Sequence, residues 1–209
     1  VIPVPPQWSA DAKARAYTML ETFVRDAATV SLAPATTRWA TSADAEHVAE
    51  RLRAQDTAEL LAMNLDPREA VIQSHKRAIW CDVAELQGRP VAIFGVCRSQ
   101  DDPALGLPWL VGTEDMTGLG SQFVRGCRPV VDRMLATCPA LVNIVHRENR
   151  VAQRWLSWLG FRFVHLPAPL QSPFIGFWQA KCGYEQLALD WLSDRGFNTG
   201  GKDATHSSR

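Results

Sequence analysis

The chain has 209 residues, 46% of them apolar and 21% charged, enough for one domain with its own core and no need of disulfides or metal for folding. Its 22 basic and 22 acidic side chains give zero net charge, which argues against a dedicated nucleic-acid binder. No apolar run nears the roughly 18 to 20 residues of a membrane span.

Residues 1–8 are proline-rich and lack the basic and apolar segments of a secretory leader. Ser9 reads as an N-cap for a helix over 10–29, with Tyr17, Leu20, Phe23, Val24 and Ala27 on one face. That face must be buried, on this domain or on a partner. Thr36 to Thr41 is a short β-prone run. Ser42 then reads as the cap of a helix over about 43–53, a second helix begins near Thr57, and Asp66-Pro67 opens a third that ends near 75–77. Ile79 to Leu86 and Arg89 to Cys97 form a hairpin across Gln87-Gly88, and the second run is apolar on both faces, as a central strand is. Ser99 to Leu107 reads as an acidic loop, Trp109 to Thr113 as a strand, and 119–138 as helix, kinked or restarted at Pro129.

Leu141 to Val145 is a strand, and Asn149 or Arg150 opens a helix that ends at Gly160. Phe161 to His165 and Phe174 to Trp178 are the last strands, and 184–193 is a short helix. The end from Gly196 is polar and reads as a mobile tail. The chain thus divides into an extension (1–35), a domain (36–180) and a C-terminal helix with tail (181–209). The order predicts an α+β domain with a mixed central sheet of six to seven strands flanked by helices.

Five widely spaced cysteines, Cys81, Cys97, Cys127, Cys138 and Cys182, contain no Cys-x-x-Cys pair, which predicts reduced, mostly buried thiols. The five histidines show no metal-binding spacing, so no metal site is expected. Seven arginines fall in 121–165 against Asp132 and Glu148. They read as a solvated basic face or as a surface for an anionic partner. Eight tryptophans favour a chain that packs against partners.

The element order resembles the GNAT acetyltransferase fold. Members of that superfamily often carry a strand followed by Asn-x-x-Ala-x-x-x-Tyr-x-x-x-Gly-Phe, and Asn149, Ala152, Gly160 and Phe161 stand at those offsets. A narrower resemblance lies in the runs Asp56 to Leu60, Gly88 to Val96, Leu107 to Thr113, Leu141 to Val145 and Trp155 to Phe161. They look like a phage family that includes the internal virion protein A of short-tailed phages. This implies a protein of the virion or the infected bacterium's cytoplasm, with other virion proteins as partners.

The superfamily resemblance also implies a cofactor, acetyl-CoA, if the chain is active. The pantetheine arm would run along Gly112 and Thr113. A phosphate loop would be built from Thr117, Gly118, Leu119, Gly120 and Ser121, with Asn149 beside it. Glycine-rich loops that open helices receive phosphate on their N–H groups. However, Asp115 stands where the superfamily has Gln or Arg, and the two glycines also suit an ordinary strand-to-helix turn. Leu156 replaces the tyrosine that protonates the departing thiolate, and leucine has no proton to give. Glu114 and His146 are the candidate catalytic residues in its absence. Arg125, Arg128, Arg147 and Arg150 are candidates for phosphate contacts. Trp155 and Trp158, three apart on a helix, read as core or as a subunit contact. The expected role is a virion protein on a catalytically degenerate GNAT-like domain; the alternative is an active N-acetyltransferase.

Overall fold

A computed structural model describes residues 35–164 and 172–197. The expected helix over 10–29, with Ser9 as its cap, and the polar tail beyond 197 lie outside the described residues.

The elements in chain order are β1 (Ala35–Trp39), α1 (Ser42–Ala49), α2 (Ala54–Ala62), α3 (Pro67–Arg77), β2 (Ala78–Leu86), β3 (Arg89–Arg98) and β4 (Leu105–Gly112). A 3-10 turn, Glu114–Leu119, then leads into α4 (Gly120–Thr137), followed by β5 (Ala140–His146), α5 (Arg150–Leu159), β6 (Arg162–Val164), β7 (Phe174–Ala180) and α6 (Glu185–Asp194). The strands form one seven-stranded sheet in the order β1-β2-β3-β4-β5-β7-β6. All neighbours are antiparallel except β4 and β5, which run parallel.

Local chemistry sets the boundaries. Thr41, not Ser42, caps α1: its hydroxyl accepts the Asp44 N–H while the Asp44 carboxylate accepts the Thr41 N–H, a reciprocal capping box. Asp66 caps α3 through the Glu69 N–H at 2.7 Å, with Pro67 in the first turn. Gln87 and Gly88 both take positive φ, 55° and 73°, as a tight two-residue hairpin turn requires. Asn149 caps α5 by accepting the Ala152 N–H at 3.0 Å, and Gly160 closes it at φ 99°.

Two expectations change. The helix expected over 43–53 ends at Ala49. β4 begins at Leu105, so the last three residues of the expected acidic loop are strand. Of the two outcomes expected at Pro129, a restart is excluded, because α4 runs through it as one helix.

The core lies on both faces of the sheet. α4 and α5 cover one face, burying Phe94, Val124, Val131, Leu141 and Leu156. On the other, α1 and α3 cover Cys81 and Ile93, and α6 covers Leu105, Val142 and Trp178. β3 is buried along most of its length, as its two-sided apolar pattern predicts.

Candidate functional site: the cleft between β4 and β5

The sheet parts in its middle. β4 and β5 share register only at Leu105 with Ala140 and Gly106 with Leu141, and beyond these pairs they diverge. On its other side β4 pairs with β3 along its length. The bond from Thr113 N–H to Val91 C=O fixes the phase of that ladder. Pro108, Leu110 and Gly112 therefore turn their backbone polar groups away from β3 and into the gap. Pro108 is tolerated in a central strand for this reason: the N–H it lacks faces the gap. Its carbonyl accepts a bond from the Asn143 amide of β5, 2.9 Å away, just where the strands separate.

The gap opens into a cleft of about 1240 Å³, lined by α2 on one side of the sheet and by α4 and α5 on the other. Much of the lining is apolar. Two carboxylates of α2, one turn apart, reach its two walls. Asp56, 5% exposed, accepts the Gly112 N–H at 2.8 Å and is gripped by Arg53 at 2.7 and 2.8 Å. The Gly112 carbonyl accepts the Arg53 N–H at 2.9 Å. Glu59 crosses to β5, accepting the His146 N–H at 2.5 Å and the Asn149 side-chain amide at 3.1 Å. One helix thus bridges both strands where they have parted.

The residues expected at this site fall as follows. Gly112 is buried at the end of β4, and a Cβ there would lie 2.7 Å from the Met116 sulfur and 2.9 Å from the Val91 carbonyl. The room left by the missing side chain is filled from within the chain. Thr113 is buried, and both its N–H and its hydroxyl bond the Val91 carbonyl. Thr117, Gly118 and Leu119 belong to the 3-10 turn, where Thr117 bonds the Glu114 carbonyl. Gly118 lies against Leu86, and Leu119 is buried. Gly120 has φ 50° and begins α4, and Ser121 follows it in that helix. Leu119, at the N-cap of α4, offers no side-chain acceptor to the first turn.

Glu114 is exposed, and its carboxylate accepts the Ala54 N–H at 2.9 Å, which caps the start of α2. The His146 ring stands edge-on to Phe174, centroids 5.4 Å apart, and its Nδ1 accepts the Glu148 N–H at 3.3 Å. Asn149 is 7% exposed. Its oxygen caps α5 and its nitrogen serves Glu59, so both ends of the amide are engaged. Among the arginines, Arg125 is exposed at the cleft and Arg150 bonds Gln153. Arg128 stacks 4.6 Å from the Trp158 ring and bonds the Trp158 carbonyl.

Trp158 is 6% exposed and part of the core, and Trp155 stacks on Phe123 at 5.4 Å. Leu156, at the tyrosine offset, is 7% exposed within the same core. Cys127 borders the cleft, but burial pushes its thiol up to about 12, so no thiolate nucleophile forms there at neutral pH. All five cysteines are free; Cys81, Cys127 and Cys138 are buried and Cys182 is exposed. Among the described residues no His, Cys, Asp or Glu cluster could hold a metal ion. No helix there is long and apolar enough to cross a membrane.

No known family profile matches the chain, and no curated protein matches it either. Solved structures do. An aminoglycoside acetyltransferase in complex with coenzyme A superposes with TM-score 0.52 at 15% identity, over 73% of this chain and 98% of that one. The fold is that of the GNAT acetyltransferases. A putative phosphinothricin N-acetyltransferase is similar to the same degree, with TM-score 0.51 at 14% identity, over 70% of this chain and 98% of that one.

The aminoglycoside acetyltransferase holds coenzyme A. In this chain the 3-10 turn Glu114–Leu119 leads straight into the first turn of α4. The slot between the strands does not suit a pantetheine arm. Its Gly112 N–H and its Asn149 amide already serve the carboxylates of α2, and the space over Gly112 holds Met116. Reasoning from sequence missed Asp56 and Glu59. Their spacing of three on a helix placed them on one face, yet nothing local said that the face meets Gly112 and Asn149.

Proposed function

We propose that this chain is a phage virion protein, internal to the head or acting in assembly, whose GNAT fold serves as a scaffold and does not transfer acetyl groups. One observation carries the loss of catalysis. The carboxylates of Asp56 and Glu59 hold the two strands of the cleft through the groups a bound acyl donor would need. The proton donor is missing as well, because Leu156 occupies its place in the core. Fold alone does not confer activity. The virion role is supported by the resemblance of the runs around Gly88 to Val96 and Leu141 to Phe161 to the phage family, and by the wealth of tryptophan.

The first test is a calorimetric titration of the purified chain with acetyl-CoA. The expected result is no binding heat at millimolar ligand. Micromolar binding followed by turnover on an amine would overturn the catalytic half of the reading. In that outcome Glu114 and His146 are the residues to replace first, and Arg125, Arg128, Arg147 and Arg150 the ones to test for phosphate contact. The second test is mass spectrometry of gradient-purified particles of the encoding phage, where the chain is expected at a fixed copy number. Its presence in infected cells but absence from particles and assembly intermediates would overturn the virion half.

A further inference from the structure

We infer that four arginines of α4, α5 and the turn before α5 form a binding surface for the phosphate backbone of double-stranded nucleic acid. Zero net charge hides a segregation. Residues 121–165 carry seven arginines against two acids, so the rest of the chain holds five more acids than bases. Folding accounts for three of the seven. Arg133 pairs with Asp82 at 2.6 Å and lies over the Trp80 ring, and Arg128 is stacked on Trp158. Arg162 lies over Trp178, on the side of the sheet that α6 covers. The other four are Arg125, Arg147, Arg150 and Arg154.

Packing gathers these four. The Phe123–Trp155 stack, 5.4 Å between centroids, sets the start of α4 beside α5. Arg125 and Arg154, each within two residues of that stack, both border the cleft. Arg154 Nε donates to the Arg150 carbonyl at 3.1 Å, so its side chain runs back toward the start of α5. Arg147 stands in the turn just before that start, its carbonyl accepting the Gln153 side-chain amide at 2.7 Å. Arg125, Arg150 and Arg154 are exposed and Arg147 is half-buried. Among the described residues no ion pair engages Arg125, Arg147 or Arg150, and the exposed Glu148 between the last two is no exception. Helix stability does not explain them. The helix dipole disfavours cations near an N-terminus, and the first turn of α5 holds no acid to offset them. Unpaired guanidinium groups match phosphate oxygens, two N–H groups to two oxygens. The rings of this face are engaged elsewhere: Phe123 and Trp155 stack on each other, and Trp158 is in the core. No platform is left for unstacked bases, which selects a duplex over a single strand. Contacts to the backbone alone carry no sequence information. The inference does not rest on the loss of acetyl transfer.

The test is fluorescence anisotropy of a short labelled DNA duplex titrated with the full chain at stepped salt. Micromolar binding is expected at about 50 mM salt, with log K falling against log salt at a slope of about −3, as three to four neutralised phosphates require. A duplex of unrelated sequence should bind equally. Arg125→Gln with Arg150→Gln should weaken binding at least about tenfold and make the slope shallower by about two. Arg68→Gln with Lys76→Gln removes the same charge from exposed positions of α3, on the opposite face of the sheet, and should change neither. Arg125→Lys with Arg150→Lys should keep most of the affinity, which separates lost charge from a lost fold. No binding at low salt, equal weakening by the α3 pair, or tighter binding of a single strand of the same length would each overturn the inference. So would displacement of the duplex by poly-glutamate at equal charge, for then the partner is an acidic protein. A chain that binds both the duplex and acetyl-CoA overturns only the catalytic reading above and leaves this one standing.

Discussion

Asp56 satisfies three donors while almost wholly withdrawn from water: two from Arg53 and the Gly112 N–H. Replacing it by alanine leaves the Gly112 N–H buried without a partner and frees a guanidinium that is only partly exposed. A lost buried acceptor costs about 1–3 kcal/mol, so urea unfolding of Asp56→Ala should show a drop of that size. Asp44 invites a different experiment. Arg38 bonds it at 2.7 and 2.8 Å, Thr41 donates both its hydroxyl and its N–H, and Glu85 of β2 shares the same guanidinium. The Arg38 guanidinium, foremost, holds the Asp44 carboxyl well below its ordinary value of 3.8. A depressed carboxyl adds stability that is complete above the unfolded value and is lost as pH falls through the folded one. Below about pH 4 the wild type should therefore lose stability more steeply than Asp44→Asn, which calorimetric melts at stepped pH would show. The Thr41 cap shows how much of such a site is legible in advance. Ser42 and Thr41 are both good caps, and only the reciprocal bond with Asp44 decides between them.

At the scale of elements, α4 carries a proline that removes one rung of its ladder, yet the helix continues past it. The loss is tolerated because buried side chains on both sides of Pro129, Val124 and Cys127 before it and Val131 and Met134 after it, all pack onto the same sheet face. Tertiary burial outweighs a local penalty of about 3 kcal/mol. Pro129 itself is exposed, so Pro129→Ala should raise the thermal midpoint by several degrees in a circular-dichroism melt. The same conflict between local signal and burial explains β4. Gly106 and Pro108 look like loop residues, but Gly106 lies against Val96, Cys138 and Leu141, and Pro108 directs its missing donor into the gap. Strand pairing settled what local preference misjudged. The hairpin at Gln87-Gly88 and the α5 boundaries at Asn149 and Gly160 were legible because each depends on neighbours within a few residues.

For the molecule as a whole, a mixed sheet of six to seven strands and the GNAT fold were legible from the order of elements and the residues at Asn149, Ala152, Gly160 and Phe161, whereas the strand order, with β7 between β5 and β6, was not. The cleft's own state was not. Asp56 and Gly112 are 56 residues apart and Glu59 and Asn149 are 90 apart, and no periodicity carries information over such distances. The tie that α2 makes across the cleft also bears on motion. The antiparallel β1–β4 half and the β5–β7 half of the sheet share only two residue pairs. Without a brace they would open to solvent independently, as separate units of differing stability. Because a single helix accepts the Gly112 amide from one half and the His146 amide from the other, its release unprotects both together. In native-state hydrogen exchange those two amides, from opposite halves of the sheet, should share one opening free energy. Replacing Glu59 by glutamine should accelerate His146 first and uncouple the pair. The gap between β4 and β5 is then a clasp that makes two half-sheets breathe as one.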